Sequence, residues 1–314
     1  MKIFVAGGTG VLGCASLKAL VEAGHQVRAT ARTEEKAGIV RTLGAEPIQV
    51  DLYDAKEVRQ AVAGSEAILR LTTRIPPIAK MRSRAAWQET NLLRTEGARI
   101  LVDAGTAAGV QVYVHESITF VYADGGSRWI TEDDPTDDGE SEILRSALDG
   151  EKEAARFSES GGRGIVLRFG GFYGSESNMT VDMVSMMRRR LLVQPGPGSH
   201  YVSSIYIPDT GTAVLASLNL PSGIYNVVDE NPLAFREYLI ALADAVHVPK
   251  PFRLPGALGK ATFGDAWSYL SRSHRVSNAR FKKASGWKPS VPSVAEGWPL
   301  VAAALKPPAR KQQA

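Results

Sequence analysis

The stretch KIFVAGGTGVLG, residues 2–13, joins a short apolar run to a turn rich in glycine. The run lacks polar alternation, which predicts a central parallel strand that is buried on both faces. The next segment, CASLKALVEAG at 14–24, has apolar residues at helical spacing and stops at Gly24. A second strand is predicted for HQVRATAR at 25–32, so the chain opens with a βαβ unit.

The glycines of this first turn are spaced as a dinucleotide-binding turn requires. Those at 8, 10 and 13 fit G-x-G-x-x-G, and those at 7, 10 and 13 fit G-x-x-G-x-x-G. One glycine permits the tight turn, one lets backbone approach a pyrophosphate, and one lets helix and strand pack closely. The helix start also offers free N–H groups to phosphate. We therefore predict that the cofactor binds along Gly7, Gly8, Thr9, Gly10, Val11, Leu12 and Gly13.

Strands continue to alternate with helices through the first half of the chain, which predicts an α/β fold with a Rossmann-type, doubly wound parallel sheet. In such a sheet the ligand lies at the carboxyl ends of the strands. The further strands are EPIQVDLYD at 46–54, EAILRLT at 66–72, VQVYVHES at 110–117 and GIVLRF at 164–169, and helices are predicted at 54–63, 88–109 and 147–160.

Composition excludes several classes of protein. With 44% hydrophobic and 22% charged residues, the chain has the balance of a globular protein. A net charge of +4 is too small to indicate a nucleic-acid partner. The single cysteine, Cys14, rules out an internal disulfide framework, and no metal site is expected. No apolar run reaches the roughly 20 residues of a membrane span, and the start is a strand rather than a signal peptide, so we expect a cytoplasmic protein without membrane contact.

These motifs, together with others along the chain, resemble an extended or atypical short-chain dehydrogenase/reductase of the NAD(P)-dependent epimerase/dehydratase family. The resemblance implies a smaller C-terminal lobe that binds a small-molecule substrate. The motifs are GGTGVLG at 7–13, VDLYD at 50–54, Asn91 with the helix to AAGV at 107–110, ESITFVYAD at 116–124, VLRFGGFYG at 166–174, IYIPDTGTAV at 205–214, GIYNVVDE at 223–230 and GWKPSVPSVAEGW at 286–298.

The domain boundaries follow from this resemblance and from a change of composition after Gly174, where proline and glycine punctuate short elements. We assign 1–174 to the NAD(P)-binding Rossmann domain, with 201–220 returning to it. The substrate-binding lobe takes 175–200 and 221–306, and FREYLIALADAVH at 235–247 is a helix of that lobe. A disordered basic tail is predicted at 307–314. The resemblance also makes a homodimer through helices 88–109 and 147–160 plausible.

The end of the second strand favours NADP over NAD. An acidic residue there usually holds the ribose 2′-hydroxyl of NAD, but this strand ends in Arg32, which can pair with a 2′-phosphate. A surface arginine without a ligand is the alternative, and Thr33 can add a hydroxyl. The resemblance adds contacts of the cofactor with Asp51, Leu52, Leu71, Thr72, Asn91 and Lys152.

The catalytic set of the family is a serine with a Tyr-x-x-x-Lys pair, and this chain departs from it. Ser117 matches the serine and Lys152 the lysine, but Leu148 stands where the tyrosine is expected. A leucine cannot transfer a proton. The candidates for another proton relay are Tyr173, Tyr122, Glu116 and His115, in that order, and Lys152 has the alternative of an ordinary exposed helix residue.

Two functions remain open from the sequence. One is an NADP-dependent oxidoreductase or epimerase of altered chemistry, acting on a small carbonyl, hydroxyl or sugar-nucleotide-like substrate. The other is an NADP(H)-binding sensor without turnover. The long acidic loop at 122–146 is predicted to be an active-site flap rather than a metal site, with Trp129 as a hydrophobic latch. Arg272, His274 and Arg275 are predicted to face an anionic substrate, or else to form a solvated basic loop.

Overall fold

A seven-stranded sheet organises the computed structural model, which describes residues 1–76, 80, 83–139, 141–256, 258 and 267–305. The predicted tail at 307–314 and the flap residue Glu140 lie outside the described residues. Helices cover both faces of the sheet, so the predicted Rossmann-type α/β fold is confirmed. In the part of the chain that is described, no helix is both long and apolar enough to cross a bilayer.

All neighbouring strands of the central sheet are parallel, in the order 223–227, 163–169, 112–118, 67–70, 2–6, 26–30 and 46–48. The remaining strands form short pairs in the loops and in the lobe. The strands are β1 Lys2–Ala6, β2 Gln26–Thr30, β3 Glu46–Ile48, β4 Ala67–Arg70, β5 Val112–Ile118, β6 Trp129–Ile130, β7 Arg163–Phe169, β8 Gly171–Tyr173, β9 Gln194–Pro195, β10 Tyr201–Val202, β11 Ser204–Tyr206, β12 Gly223–Val227, β13 Leu233–Ala234, β14 Arg253–Leu254 and β15 Arg275–Val276.

The helices alternate with the sheet strands as the sequence predicts, although the long helix predicted at 88–109 is divided at Thr95. They are α1 Val11–Glu22, α2 Glu34–Thr42, α3 Ala55–Val62, α4 Arg84–Arg94, α5 Glu96–Ala107, α6 Glu142–Glu159, α7 Asn178–Arg188, α8 Ile207–Ser217, α9 Phe235–Ala245, α10 Trp267–Leu270, α11 Ala279–Ser285 and α12 Val294–Ala304.

Two apolar layers hold this sheet, one on each face. Successive strand residues point to opposite faces, so Ile3 and Val5 of β1 join the layer beneath α1 and α8, whereas Phe4 joins the layer beneath α3, α5 and α6. Every one of these three side chains is at most 1% exposed. Burial on both faces explains why the strand sequence shows no polar alternation.

The predicted start of the lobe at 221 requires a correction. Strand β12 pairs in register with β7, from Gly223 opposite Ile165 to Val227 opposite Phe169, and it forms the edge of the central sheet. Helix α11 then packs on β12 through the buried Phe281. These segments return to the Rossmann sheet because their apolar residues complete its core, so they belong with 1–174 and 201–220.

The lobe has an apolar core of its own, built mainly from α7, α9 and α12. Trp298 of α12 is fully buried against Tyr173 and Tyr238. The helix predicted at 235–247 is confirmed as α9, which turns Leu239 and Leu242 into this core.

Helix α8, from the second half of the chain, packs closely on α1, and substitutions at two helical glycines test this contact. In α8, a Cβ on Gly211 would lie 2.1 Å from the carbonyl oxygen of Ala15 in α1, whereas a Cβ on Gly38 in α2 would meet nothing within 4 Å. Gly211→Ala should lower the free energy of unfolding by roughly 1–3 kcal/mol, because the helices must move apart. Gly38→Ala should raise it by about 0.5–1 kcal/mol through helix propensity. Urea unfolding measures both, and equal effects would contradict the close contact of α1 with α8.

Candidate active site

Three glycines of the first turn have separate geometric roles. Gly7 has a φ of 96°, and a Cβ there would lie 2.7 Å from the carbonyl oxygen of Leu71. A Cβ on Gly13 would lie 2.1 Å from the carbonyl oxygen of Gly7, so α1 can begin against the end of β1 only without a side chain there. A Cβ on Gly10 would meet only that same oxygen, at 3.6 Å. Gly10 is therefore free of internal crowding and keeps the space in front of the helix start open.

A groove of about 1180 Å³ runs from this turn along the ends of β2, β3 and β4. Its lining brings together eight of the residues predicted to bind the cofactor: Gly7, Thr9, Gly10, Arg32, Asp51, Leu52, Leu71 and Thr72. The groove lies at the carboxyl edge of a parallel sheet and at a helix N-terminus, which is where the physics of the fold favours a phosphate-bearing ligand.

Basic side chains gather at one end of this groove. Arg32 Nη1 lies 3.0 Å from Glu89 Oε1, Arg74 bonds the other oxygen of the same carboxylate, and Lys36 also lines the groove. Burial raises the pKa of Glu89, but hydrogen bonds from Arg32 and Arg74 outweigh it and the net pKa is lowered. The sequence predicted Arg32 only. The sequence did not single out Arg74 or Lys36 as cofactor residues. Arg74 comes from the loop after β4, and Lys36 lies in α2.

The other predicted cofactor residues lie outside the groove lining. Gly8, Val11, Leu12 and Gly13 form the inner wall of the turn and the first turn of α1. Asn91 on α4 faces α6, where its Oδ1 accepts a hydrogen bond of 2.9 Å from Ser146 Oγ.

Lys152 is corrected to a surface residue. Its side chain is 75% exposed and its Nζ lies 2.7 Å from Asp149 Oδ1. The buried face of α6 passes through Ala147, Glu151 and Ala154, and consecutive helix residues point about 100° apart, so Lys152 faces away from the sheet.

Ser117 is buried in a fixed network instead of facing the groove. Its Oγ donates to Glu151 Oε1 at 2.6 Å, and Arg168 donates to both oxygens of Glu151, at 2.8 and 2.6 Å. All three residues are at most 7% exposed. Glu151, which the sequence analysis missed, takes the inward position on α6 that Lys152 was expected to hold.

Glu116 and His115 are also enclosed. Glu116 Oε2 lies 3.1 Å from Arg70 Nη1 and accepts a hydrogen bond of 2.6 Å from Thr73 Oγ1. His115 is fully buried beside the Tyr113 hydroxyl, at 3.2 Å, and burial holds its pKa well below the ordinary value. Neither side chain lines the groove.

The two tyrosines ranked highest for proton transfer require a correction as well. Tyr122 is fully buried, donates to Asn226 Oδ1 at 2.7 Å, and burial raises its pKa to about 12. Tyr173 packs in the core of the lobe against Trp298, donates to the carbonyl oxygen of Ser293 at 3.4 Å, and has a pKa raised by burial. A buried phenol with a raised pKa and an internal acceptor is poorly placed to protonate a ligand.

A second cavity, of about 520 Å³, lies between the flap and the lobe. Its aromatic lining comes from His200, Tyr201 and Trp267, and Asp124 is the charged carboxylate among the described lining residues. Its other lining residues are Gly126, Ser127, Pro195, Gly196, Pro197, Ser199, Gly256, Ser271 and Ser273.

The basic residues predicted to face an anionic substrate fasten the flap instead. Arg272 Nη2 lies 2.7 Å from Asp137 Oδ2, and His274 is buried against the carbonyl oxygen of Tyr122. Arg275 stacks over Trp129, with 4.4 Å from Cζ to the ring centroid, where β6 pairs with β15. The flap therefore is latched through Trp129, and none of the three basic residues lines the cavity.

The chain is similar to known NAD(P)H-binding proteins and reductases. Residues 7–177 match the model of the family described as NAD(P)H-binding. A Streptomyces 3-diazoavenalumate denitrifying reductase is 31% identical over 95% of this chain and 99% of its own. A Dictyostelium discoideum sterol-4-alpha-carboxylate 3-dehydrogenase, decarboxylating, is 21% identical over 76% of this chain and 74% of its own.

Solved structures share the fold over nearly the whole chain. The human epimerase family protein SDR39U1, determined with NADPH, has a TM-score of 0.82 at 22% identity and covers 97% of this chain and 100% of its own. A Thermotoga maritima UDP-glucose 4-epimerase, determined with UDP-glucose, has a TM-score of 0.79 at 19% identity, covering 96% and 98%.

A substitution at Gly10 can weaken cofactor binding without destabilising the fold, because the space around this residue is open. Gly10→Val should keep the melting temperature close to that of the wild type, because a Cβ there meets only one atom at 3.6 Å. It should nevertheless weaken NADPH binding at least roughly tenfold, since a branched side chain fills the path of the pyrophosphate. Fluorescence titration measures the affinity. Lys152→Ala serves as the control and should bind like the wild type; unchanged affinity in Gly10→Val would place the cofactor elsewhere.

Proposed function

Because the chain belongs to the NAD(P)H-binding short-chain dehydrogenase/reductase family, we propose that it is an NADPH-dependent reductase whose substrate takes up hydride without a proton from the enzyme. The observation that carries this proposal is the absence, on the described α6, of a proton donor directed at the groove. The polar residues on the buried face of α6 are Ser146 and Glu151, and each is bonded within the protein.

The charge at the groove supports NADPH as the reduced cofactor. Arg32, Lys36 and Arg74 line the end of the groove beside the strand β2 terminus, where the adenine ribose is held in this fold. A 2′-phosphate would receive charge-assisted hydrogen bonds from guanidinium groups that are each 63% exposed. Glu89 forms ion pairs with both arginines, so its single negative charge leaves one positive charge over, and a phosphate dianion would compete with it for them.

The lack of a free proton donor on the buried face of α6 limits the reactions that this helix can assist. Hydride transfer to a ketone leaves an alkoxide, which needs a general acid that is typically worth 10²–10⁴-fold in rate. Hydride transfer to a carbon that expels a leaving group needs no such acid, because the negative charge departs with the leaving group.

The Streptomyces relative, whose name describes a reductase that removes nitrogen from a diazo compound, indicates such a leaving group. We extend this to an aromatic diazo substrate here. NADPH, held along Gly7, Thr9 and Gly10 with Arg32 at its 2′-phosphate, would supply a hydride for the carbon that bears the diazonium group. A C–H bond would form at that carbon, the C–N bond would break, and its electron pair would leave with N₂. The carbon is reduced and NADPH becomes NADP⁺, so electrons balance without a protein proton.

The second cavity supports an aromatic substrate over a sugar nucleotide. Tyr201, Trp267 and His200 offer planar apolar surfaces, and burial lowers the pKa of His200, which favours its neutral form. The carboxylate of Asp124 would repel a diphosphate, and no described lining residue offers a cation to bind one.

A protein that binds NADPH without turnover is the second candidate, because such a protein would also lack the tyrosine that Leu148 replaces. The internal hydrogen bonds of Ser117, Glu116 and Tyr122 fit a binding protein as well as they fit the reductase. Measurement of turnover separates the two functions.

Arg32 should determine the choice between cofactors. Arg32→Ala should weaken NADPH by roughly 1.5–3 kcal/mol, about 10- to 150-fold, and leave NADH nearly unchanged, because only NADPH carries the 2′-phosphate. The exposed Arg59 on α3 lies outside the groove lining, and Arg59→Ala is the matched control. Equal losses for NADPH and NADH on calorimetry would make Arg32 a structural residue.

The reaction is tested with NADPH that carries deuterium at C4, an aryl diazonium compound and the ketone of the same aryl group. The diazonium compound should yield an arene with one deuterium at the carbon that lost nitrogen, and one N₂ for each NADPH. The ketone should react at least roughly 10²-fold more slowly. Gly10→Val and a sample without protein correct for direct reduction by NADPH. Faster reduction of the ketone would reject the leaving-group chemistry, and no turnover of either would favour the binding protein.

A further inference from the structure

We propose that Arg94 is a buried anion-binding residue, which would hold an oxyanion or carboxylate of the substrate where α4, α6 and the lobe meet. Arg94 is the last residue of α4 and is 2% exposed. Neither the family match nor the predicted catalytic set points to it. The inference rests on the proposed function for the identity of the ligand as substrate, and on the buried charges for the presence of an anion site.

The buried charges in this region do not balance. Three guanidinium groups, those of Arg70, Arg94 and Arg168, are at most 3% exposed. Arg70 is paired with Glu116, and Arg168 is paired with both oxygens of Glu151. No described carboxylate forms an ion pair with Arg94, so one buried positive charge is left over.

The hydrogen bonds of Arg94 leave most of its donors unused. Its Nη1 donates to the carbonyl oxygen of Ile143 at 3.2 Å, and Ser146 Oγ already donates to the same oxygen at 2.9 Å. Its Nε is buried without a partner, and its Nη2 forms no hydrogen bond with any described residue. A guanidinium offers five N–H donors in one plane, which suits a carboxylate or an oxyanion.

The surroundings of Arg94 lie at the carboxyl end of β5. The side chain reaches the first turn of α6 at Ile143, and its electrostatic neighbours are Glu116, Arg70, Tyr269 and Glu151, of which both carboxylates already pair with another arginine. Tyr269 packs on Leu144 and against Ile118, the last residue of β5. The carboxyl end of a sheet strand, facing a second lobe, is where this fold binds its ligands.

An unpaired buried charge is costly, so its retention needs a reason. Burial lowers the pKa of Arg94, yet an arginine stays protonated in proteins. Isolated buried charges are otherwise neutralised or paired, and exceptions cluster at functional sites. An anionic group of a ligand would complete the pairing that Arg70 and Arg168 already have.

The chemistry of the proposed reaction gives such an anion a purpose. In a diazo arene that carries a conjugated oxide, charge shifts between the oxygen and the diazonium carbon. A guanidinium on the oxide holds the negative charge there and keeps the carbon electrophilic toward hydride. Arg94 would thus act by a fixed charge and not by proton transfer.

The test uses acetate as the probe anion and acetamide as its neutral isostere, with the full chain and without turnover. Acetate should raise the melting temperature of the wild type in a saturable manner, while acetamide should not. Arg94→Met should lose the acetate shift and melt at least as high as the wild type, because an unpaired buried charge is replaced by an apolar side chain. Arg168→Met is the control and should melt lower, because it leaves Glu151 unpaired.

An acetate shift that is absent in the wild type, or equal in Arg94→Met, would overturn the proposal. A fall in the melting temperature of Arg94→Met as large as that of Arg168→Met would make Arg94 structural and would overturn it as well. The outcome is independent of the reductase assignment, because no step of the assay consumes NADPH. A protein that fails to reduce diazo compounds could still show the acetate shift.

Discussion

Gly13 fixes the start of α1 against the end of β1, because the carbonyl oxygen of Gly7 leaves no room for a side chain there. A Cβ on Gly13 would lie 2.1 Å from that oxygen, so only glycine lets α1 start directly against β1. This placement aims the helix N-terminus at the groove. It also sets the position of α1 for α8, whose Gly211 approaches Ala15 as closely. The cofactor groove and the attachment of the second half of the chain therefore share one helix.

Around the carboxyl end of β5, charged and phenolic side chains are bonded to one another inside the protein. Arg70 with Glu116 and Arg168 with Glu151 are buried ion pairs, and Tyr122 is held by Asn226 with a pKa of about 12. These side chains position one another through internal bonds, and none of them lines the groove. The arrangement is consistent with hydride chemistry in which the substrate disposes of its own charge.

The sequence predicted the parts of the molecule that depend on local backbone geometry. The glycine turn, the alternation of strands and helices, and Arg32 in the groove all follow from short-range spacing. The side-chain assignments on α6 failed for a geometric reason, because an offset of one residue between Lys152 and Glu151 turns a side chain by about 100°. The ion pairs of Arg70, Arg168 and Arg74 could not be predicted from the sequence, because their partners come from distant strands, helices and loops. The edge strand at 223–227 was missed because a return to the sheet is decided by tertiary packing.

We propose that the groove beside the glycine turn binds a dinucleotide with a 2′-phosphate. Calorimetric titration of the wild-type chain with NADPH and NADH, at one ionic strength, tests this most directly. The basic residues Arg32, Lys36 and Arg74 predict that NADPH binds at least roughly tenfold more tightly, and that this advantage shrinks as salt is added. Equal affinities, or tighter binding of NADH, would show that the groove does not select the 2′-phosphate.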